Sequence, residues 1–395
     1  MMNSTPAITG TPSTTRAVAL HGTTLVTFFA AASSPTPLYR LYQAQWHFSP
    51  LMLTVIFGVY ALSLLATLIT AGSLSDYICR RPVITLALVL QMVAMGSFLA
   101  ASDIVWLIAA RMLQGVATGL ATAALGAAML DLHHERGALI NSLAPLGGLA
   151  AGALGTTALV QWAFAPLQLV FALLLAAFAM QTLLTWTTPE TASGRPGALT
   201  SLRPRVVVPL QARATLKAVS PINVAIWALG GFYLSLMPSL IARATGSASA
   251  WLGGLSVAAL TLSGAVAVVA SRAHNPRVSL LGGAMFLAAG LVCIMSGVAL
   301  GRAGPLLAGS VAAGVGFGAC FLGAMRSVLS LAGPGERAGL MAAFYVESYL
   351  AHVLPALAAG YLAQHLGLVV TTECFGVAII ALALIGFRAI ARRKQ

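Results

Sequence analysis

The feature that most restricts this chain is a succession of apolar runs, each about twenty residues long and nearly free of charge. A bilayer's hydrocarbon core is about 30 Å thick and is crossed by about twenty helical residues. Twelve runs qualify, near 17–39, 50–71, 82–101, 104–129, 138–160 and 166–187, then 219–242, 250–271, 278–300, 304–327, 338–362 and 367–389. They are continuous rather than alternating, which excludes a transmembrane β-barrel and predicts an all-α membrane protein. Charged residues make up 7% of the chain and the mean hydropathy is +0.93, so too few polar residues exist to cover a soluble enzyme. Residues 23–29 followed by Ala30-Ala31-Ala32 have the outline of a signal peptide. Only Arg16 precedes them, which favours a first membrane helix.

A net charge of +13 first suggests nucleic acid, but the cations are dispersed among loops. With the N-terminus placed in the cytoplasm, Arg16, Arg80, Arg81, Arg136, Arg195, Arg203, Arg205, Arg213, Lys217, Arg272, Arg277, Arg326, Arg337, Arg388, Arg392, Arg393 and Lys394 fall inside. Only Arg40, Arg243 and Arg302 fall outside. Seventeen against three is a positive-inside bias, and an even number of spans puts both termini in the cytoplasm. The basic balance therefore reports orientation in the cell inner membrane, with the lipid bilayer as partner and no nucleic acid.

The longest hydrophilic stretch, about 188–217, carries Pro196, Pro204 and Pro209 among five cations and reads as a linker. It divides the chain into a six-helix half over 1–190, a cytoplasmic linker over 191–217 and a second six-helix half over 218–395. The halves echo each other. Glu135-Arg136-Gly137-Ala138-Leu139-Ile140 precedes the fifth span and Glu336-Arg337-Ala338-Gly339-Leu340-Met341 the eleventh. Such pseudo-repeats suit two halves rocking about a site at mid-membrane.

After the second span comes Gly72-Ser73-Leu74-Ser75-Asp76-Tyr77-Ile78-Cys79-Arg80-Arg81-Pro82. This resembles the G-x-L-x-D-x-x-G-R-R/K loop of the major facilitator superfamily, with Cys79 where the family usually has Gly. The equivalent loop, Ser271 to Arg277, lacks the acidic position, so a gating role attaches to Gly72, Asp76, Arg80 and Arg81. The fourth span, from Arg111 through Gln114 and Gly115 to Gly119, resembles the R-x-x-Q-G-x-x-x-G pattern of proton-coupled members. The fifth, with Pro145, Gly147, Gly148 and Gly152, is a degenerate match to the exporters' G-P-x-x-G-G motif, Ala153 standing in place of Pro. Pro189-Glu190-Thr191 resembles the P-E-S/T ending of drug exporters. The chain is therefore similar to a twelve-helix major facilitator transporter, nearest in appearance to bacterial drug:proton antiporters. That resemblance implies alternating access, a small-molecule substrate, protons as the coupling ion, a monomer and no cofactor.

Charges inside spans are the candidates for coupling, because each costs about 2.5–3.5 kcal/mol on insertion scales and is retained for a reason. Arg111, Gln114, Thr118 and Thr122 share one helix face, which reads as the wall of an aqueous pathway or, for Arg111, as a side chain snorkelling to the interface. Glu347 in the eleventh span and Glu373 in the twelfth are the intramembrane carboxylates. A carboxyl in low dielectric can carry a proton or can be a neutral interhelical hydrogen-bonder. His352 is a relay candidate or a structural histidine. It shares a face with Tyr345, Ser348 and Tyr349, and Glu347 points about 100° away from Ser348. The resemblance implies that helices 1, 4, 7 and 10 line the cavity, which adds Phe28, Asn223, Trp227, Ser310, Phe317 and Phe321. This weakly polar, aromatic lining suits an amphipathic organic molecule better than a sugar, although the aromatics also serve as packing or lipid-facing residues.

Cys79, Cys293, Cys320 and Cys374 form no CxxC pair, and no metal site is expected. His133-His134-Glu135 reads as a solvated run. Proton-coupled efflux is the leading expectation, with proton-coupled import of a metabolite beside it. A membrane sensor, enzyme or channel is a distant third, because no P-loop, HExxH or GxSxG motif is present.

Overall fold

The computed structural model describes residues 12–247, 249–333 and 335–393, so Lys394 lies outside the described residues. Among those residues every regular element is helical: α1 Pro12–Ser33, α2 Pro35–Trp46, α3 Pro50–Ala71, α4 Arg80–Leu99, α5 Ile104–Leu132, α6 His134–Trp162, α7 Pro166–Thr185, α8 Ala198–Ser201, α9 Leu210–Ser235, α10 Met237–Thr245, α11 Ala250–Ser271, α12 Pro276–Leu300, α13 Ala303–Leu329, α14 Arg337–Leu366 and α15 Leu368–Ala391. Among the described residues twelve units are long and apolar enough to cross a membrane, the first being α1 with α2. The helices start where the sequence supplies caps or prolines. Ser49 accepts from Met52 N–H ahead of α3, Asp103 accepts from Val105 and Trp106 N–H ahead of α5, and Pro50, Pro166 and Pro276 occupy first-turn positions.

Two spans differ from the sequence reading in being broken. The first stops at Ser33 and resumes at Pro35, and the seventh stops at Ser235 and resumes at Met237 with Pro238 next. Each break falls where a proline removes a helical N–H, whereas Pro145, Pro221 and Pro355 are accommodated inside continuous helices. The seventh span also begins early: α9 starts at Leu210, so residues 210–217 of the stretch read as linker are helical.

The first six spans pack mainly on one another, as do the last six, and the principal pairs joining the two sets are α6 with α11 and α3 with α14. Close approach within the first set relies on glycines of α6. A Cβ at Gly148 would stand 2.6 Å from Phe29 Cβ, and one at Gly152 would meet the Ala30 carbonyl of α1. The linker rejoins the body twice, through Arg195 N–H on Tyr77 O at 2.8 Å and Val207 N–H on Gly339 O at 3.3 Å. On the membrane side away from the linker the two sets meet directly. Thr36 Oγ1 donates to Leu234 O at 2.9 Å, and the rings of Trp162 and Trp251 lie 5.4 Å apart.

Candidate functional site

Arg111 is fully buried on α5 and faces the break in the first span. Pro35 cannot donate to Ala31 O, so the last carbonyls of α1 lack helical partners. Gln114 Nε2 donates to Ala31 O at 3.0 Å, and Arg111 Nη1 donates to Ala32 O at 2.9 Å and to Gln114 Oε1 at 2.6 Å. Arg111 Nε and Nη2 both donate to Tyr39 Oη of α2, at 2.9 and 2.6 Å. The guanidinium carbon lies 5.6 Å from the Tyr39 ring centroid and 5.1 Å from that of Tyr60. No carboxylate reaches it, since the two ion pairs among the described residues both belong to Arg80. Neutral oxygens and two π faces carry the charge instead.

In the present conformation the expected stripe is closed rather than water-lined. Arg111, Gln114 and Thr118 are fully buried against the broken helix, and only Thr122 is half-buried. Phe28 is likewise buried, 5.1 Å from the Phe178 ring of α7, because it faces the interior of the first six spans rather than a central opening. Ser310 is shut away too, hydrogen-bonded to Tyr233 Oη at 2.7 Å. Tyr39 and Tyr60, which complete the arginine's environment, carry no signal in the sequence, because neutral aromatics abound in membrane helices.

A second cluster occupies the seam between α9 and α14. Asn223 Nδ2 donates to Ser348 Oγ at 3.0 Å and to Glu347 Oε2 at 3.4 Å, with the Ser220 hydroxyl a further neighbour of the carboxylate. One turn on, His352 Nδ1–H donates to Trp227 O at 2.8 Å. The Trp227 ring lies 5.1 Å from Tyr349, 5.5 Å from His352 and 6.2 Å from Phe321, which in turn stacks on Phe317 at 6.4 Å. Phe57 of α3 meets His352 at 5.0 Å across the boundary between the two sets of spans. Glu347, Trp227, Phe317 and Phe321 are half-buried. Glu347 and Ser348, which helical geometry alone separates, are thus joined through one amide on a neighbouring helix. Asn223 Oδ1 and Trp227 Nε1 are buried without a hydrogen-bond partner among the described residues. Glu373 is not part of this cluster: it is exposed on α15 and makes no hydrogen bond or ion pair among the described residues.

The third cluster is the loop after α3. Gly72 is needed for the turn, since a Cβ there would strike the Leu68 carbonyl. A 3-10 turn over Leu74–Asp76 brings Asp76 onto Arg80, which also donates to Ser75 Oγ at 2.7 Å and Asp131 Oδ2 at 3.1 Å. The backbone N–H groups of Arg80 and Arg81 donate to the two carboxylate oxygens of Glu190, each at 2.9 Å. Partial burial pushes the Glu190 carboxyl up, but four backbone N–H groups, from Arg81, Ala192, Arg80 and Thr191, outweigh it and hold the group below the usual carboxylate range. The short Pro189-Glu190-Thr191 motif thus caps α4. Arg81 contributes its backbone here, while its side-chain Nε is buried without a hydrogen bond among the described residues. Cys79 sits at φ 73°, ψ 159°, a region that only glycine occupies without strain.

No curated protein matches the chain. Solved structures match its fold along nearly its whole length at low identity. A bacterial homologue of the human lysosomal transporter Spinster, crystallised inward-facing and unoccupied, has a TM-score of 0.75 and 14% identity, covering 97% of this chain and 98% of its own. A variant of the nucleoside transporter NupG has a TM-score of 0.76 and 11% identity, covering 95% and 99%. The human organic anion transporter MFSD10 has a TM-score of 0.67 and 17% identity, covering 96% and 100%. The family model described as Major Facilitator Superfamily matches residues 22–242. That match takes in more than half the chain, including the Asp76–Arg80 loop and the Arg111 helix, and with twelve membrane-length helices it identifies the chain as a member of the Major Facilitator Superfamily, a transporter rather than an enzyme.

Proposed function

We propose that the chain is a proton-coupled exporter of small amphipathic organic compounds, with Glu347 as the protonation site. The observation that carries this reading is the α9–α14 seam, where a half-buried carboxylate bonded to Asn223 and a row of aromatic rings around Trp227 lie one turn apart on the same two helices. Protonation of Glu347 changes what Asn223 and Ser220 can bond to, and substrate binds beside it against Trp227, Phe317 and Phe321. His352, held by the Trp227 carbonyl, supports the same seam. Arg111 contributes by fixing the broken first span, and Glu373 is left out because of its exposed position. The relatives named for nucleosides and organic anions support a small organic cargo.

In this reading the linker side is the cytoplasm and the membrane is the inner membrane, on the seventeen-to-three cation bias. Residues 1–190 and 218–395 act as rocking halves, the Asp76–Arg80 loop gates, and the contacts at Thr36 and Trp162 close the side away from the linker.

Proteoliposomes with an imposed pH gradient test it, using a panel of amphipathic compounds. Glu347→Gln is expected to lose gradient-driven flux by about tenfold or more while retaining exchange of substrate for substrate in the absence of a gradient. A variant that moves protons and substrate like the unaltered protein overturns the assignment.

A further inference from the structure

We infer that the linker-side ends of α9, α12 and α15 form a binding site for the phosphodiester headgroup of an anionic phospholipid. The three helices pack together, α15 against both of the others. Two hydrogen bonds fix their ends: Arg277 Nη2 donates to Ala391 O at 2.8 Å, and Arg393 Nη1 donates to Thr215 Oγ1 at 3.0 Å. Arg277, Arg393 and the intervening Arg392 are thereby gathered at one corner, with Arg388 one turn back on α15.

These cations differ from the structural arginines elsewhere. Arg80 is neutralised by two aspartates, and Arg326 spends one nitrogen on three carbonyls at the end of α11. At this corner no ion pair exists among the described residues, and each bonded guanidinium uses one nitrogen, leaving its other donors open. The side chains of Arg388 and Arg392 are exposed and make no hydrogen bond or ion pair among the described residues. The acidic residue in contact with the start of α9, Glu336, is already engaged by Gln211 Nε2 at 2.8 Å and Gly333 N–H at 2.9 Å.

What lies toward the membrane centre chooses a lipid over a free anion. Val278 on α12 and Leu384 and Ile385 on α15 are 57%, 48% and 55% exposed, directly adjoining the cations along the same helices. An apolar surface beneath a cationic one matches acyl chains beneath a headgroup, and cationic corners between membrane helices recognise anionic lipids through this pairing. The inference does not depend on the substrate or on the coupling ion.

Native mass spectrometry of the purified full chain, titrated with phosphatidylglycerol, phosphatidylcholine or inorganic phosphate, tests it. The triple variant Arg277→Gln/Arg392→Gln/Arg393→Gln is expected to lose phosphatidylglycerol adducts by about fivefold per cation removed. The triple Lys variant, which keeps the charge, retains most of them. Arg195→Gln/Arg203→Gln/Arg205→Gln removes equal charge from the linker and leaves the adducts intact. If the triple Gln variant does not fold, Arg392→Gln, which breaks no hydrogen bond, gives the single fivefold step. Equal loss in the linker variant, equal retention of phosphatidylcholine, or saturation by inorganic phosphate at the same concentration overturns the proposal.

Discussion

The Glu190 carboxylate lies on the amino end of α4, where it accepts from Arg80 and Arg81 N–H and meets the positive end of the helix dipole. Its folded pKa lies below its unfolded one, so its stabilisation is complete above the ordinary carboxylate range and is lost as pH falls through that range toward the lower folded value. Glu190→Gln is therefore expected to cost about 1 kcal/mol near neutral pH. The difference from the unaltered protein should close in acid. Thermal unfolding of both proteins between about pH 7 and pH 3 checks this, and a gap that persists in acid assigns the loss to packing instead. The short motif was visible in the sequence, but its chemistry was not, because the N–H groups it caps belong to a helix about 110 residues earlier. Arg111 shows the same split. A charge inside an apolar helix is conspicuous in sequence, whereas Tyr39, 72 residues away, is not.

At the scale of elements, the broken helices carry the information that apolar runs conceal. Hydropathy registers the first span as one run over 17–39, although Pro35 and Pro37 divide it, and the seventh as one run through Pro238. Each break frees carbonyls, and the structure re-satisfies them with partners from other helices: Gln114 on Ala31, Arg111 on Ala32 and Thr36 on Leu234. The last is particular, because Pro238 is the residue whose missing N–H leaves Leu234 O open, and Thr36 comes from the other broken span. A single hydroxyl, buried at the side away from the linker, thus helps to hold the two sets of spans together. Such a hydrogen bond contributes about 0.5–1.5 kcal/mol. Thr36→Val should then shift the population toward opening on that side by about two- to tenfold, and Thr36→Ser should not. Spin labels at Gln45 and Arg243, both exposed beyond the two breaks, read the change as a longer distance population. An unchanged distribution removes Thr36 from the gate.

For the whole molecule, what was legible followed from the bilayer. Its thickness sets run length, and its asymmetry places cations, so twelve spans and a sided charge map could be read without coordinates. Which helix of one half touches which of the other has no such external ruler, because small residues on α3, α6, α11 and α14 look alike wherever they face. The structure puts α6 against α11 and α3 against α14, and in both pairs a glycine sits at closest approach. A Cβ at Gly254 would lie 3.0 Å from Thr157 Cβ, and one at Gly360 would lie 2.8 Å from Thr54 Cγ2 and 3.1 Å from Leu51 Cα. These positions lie on the side away from the linker, so closure there requires two surfaces without side chains. Interfaces packed this tightly are bistable rather than compressible, and added methyl groups separate them instead of being absorbed. Overpacking of this kind costs about 1–3 kcal/mol per site. Gly254→Val with Gly360→Val is therefore expected to hold the molecule open on that side and to abolish net transport while sparing the fold. The Gln45–Arg243 label pair should report the open distance almost exclusively. Retention of transport with the short distance would show that the glycines are dispensable and that the seam closes elsewhere.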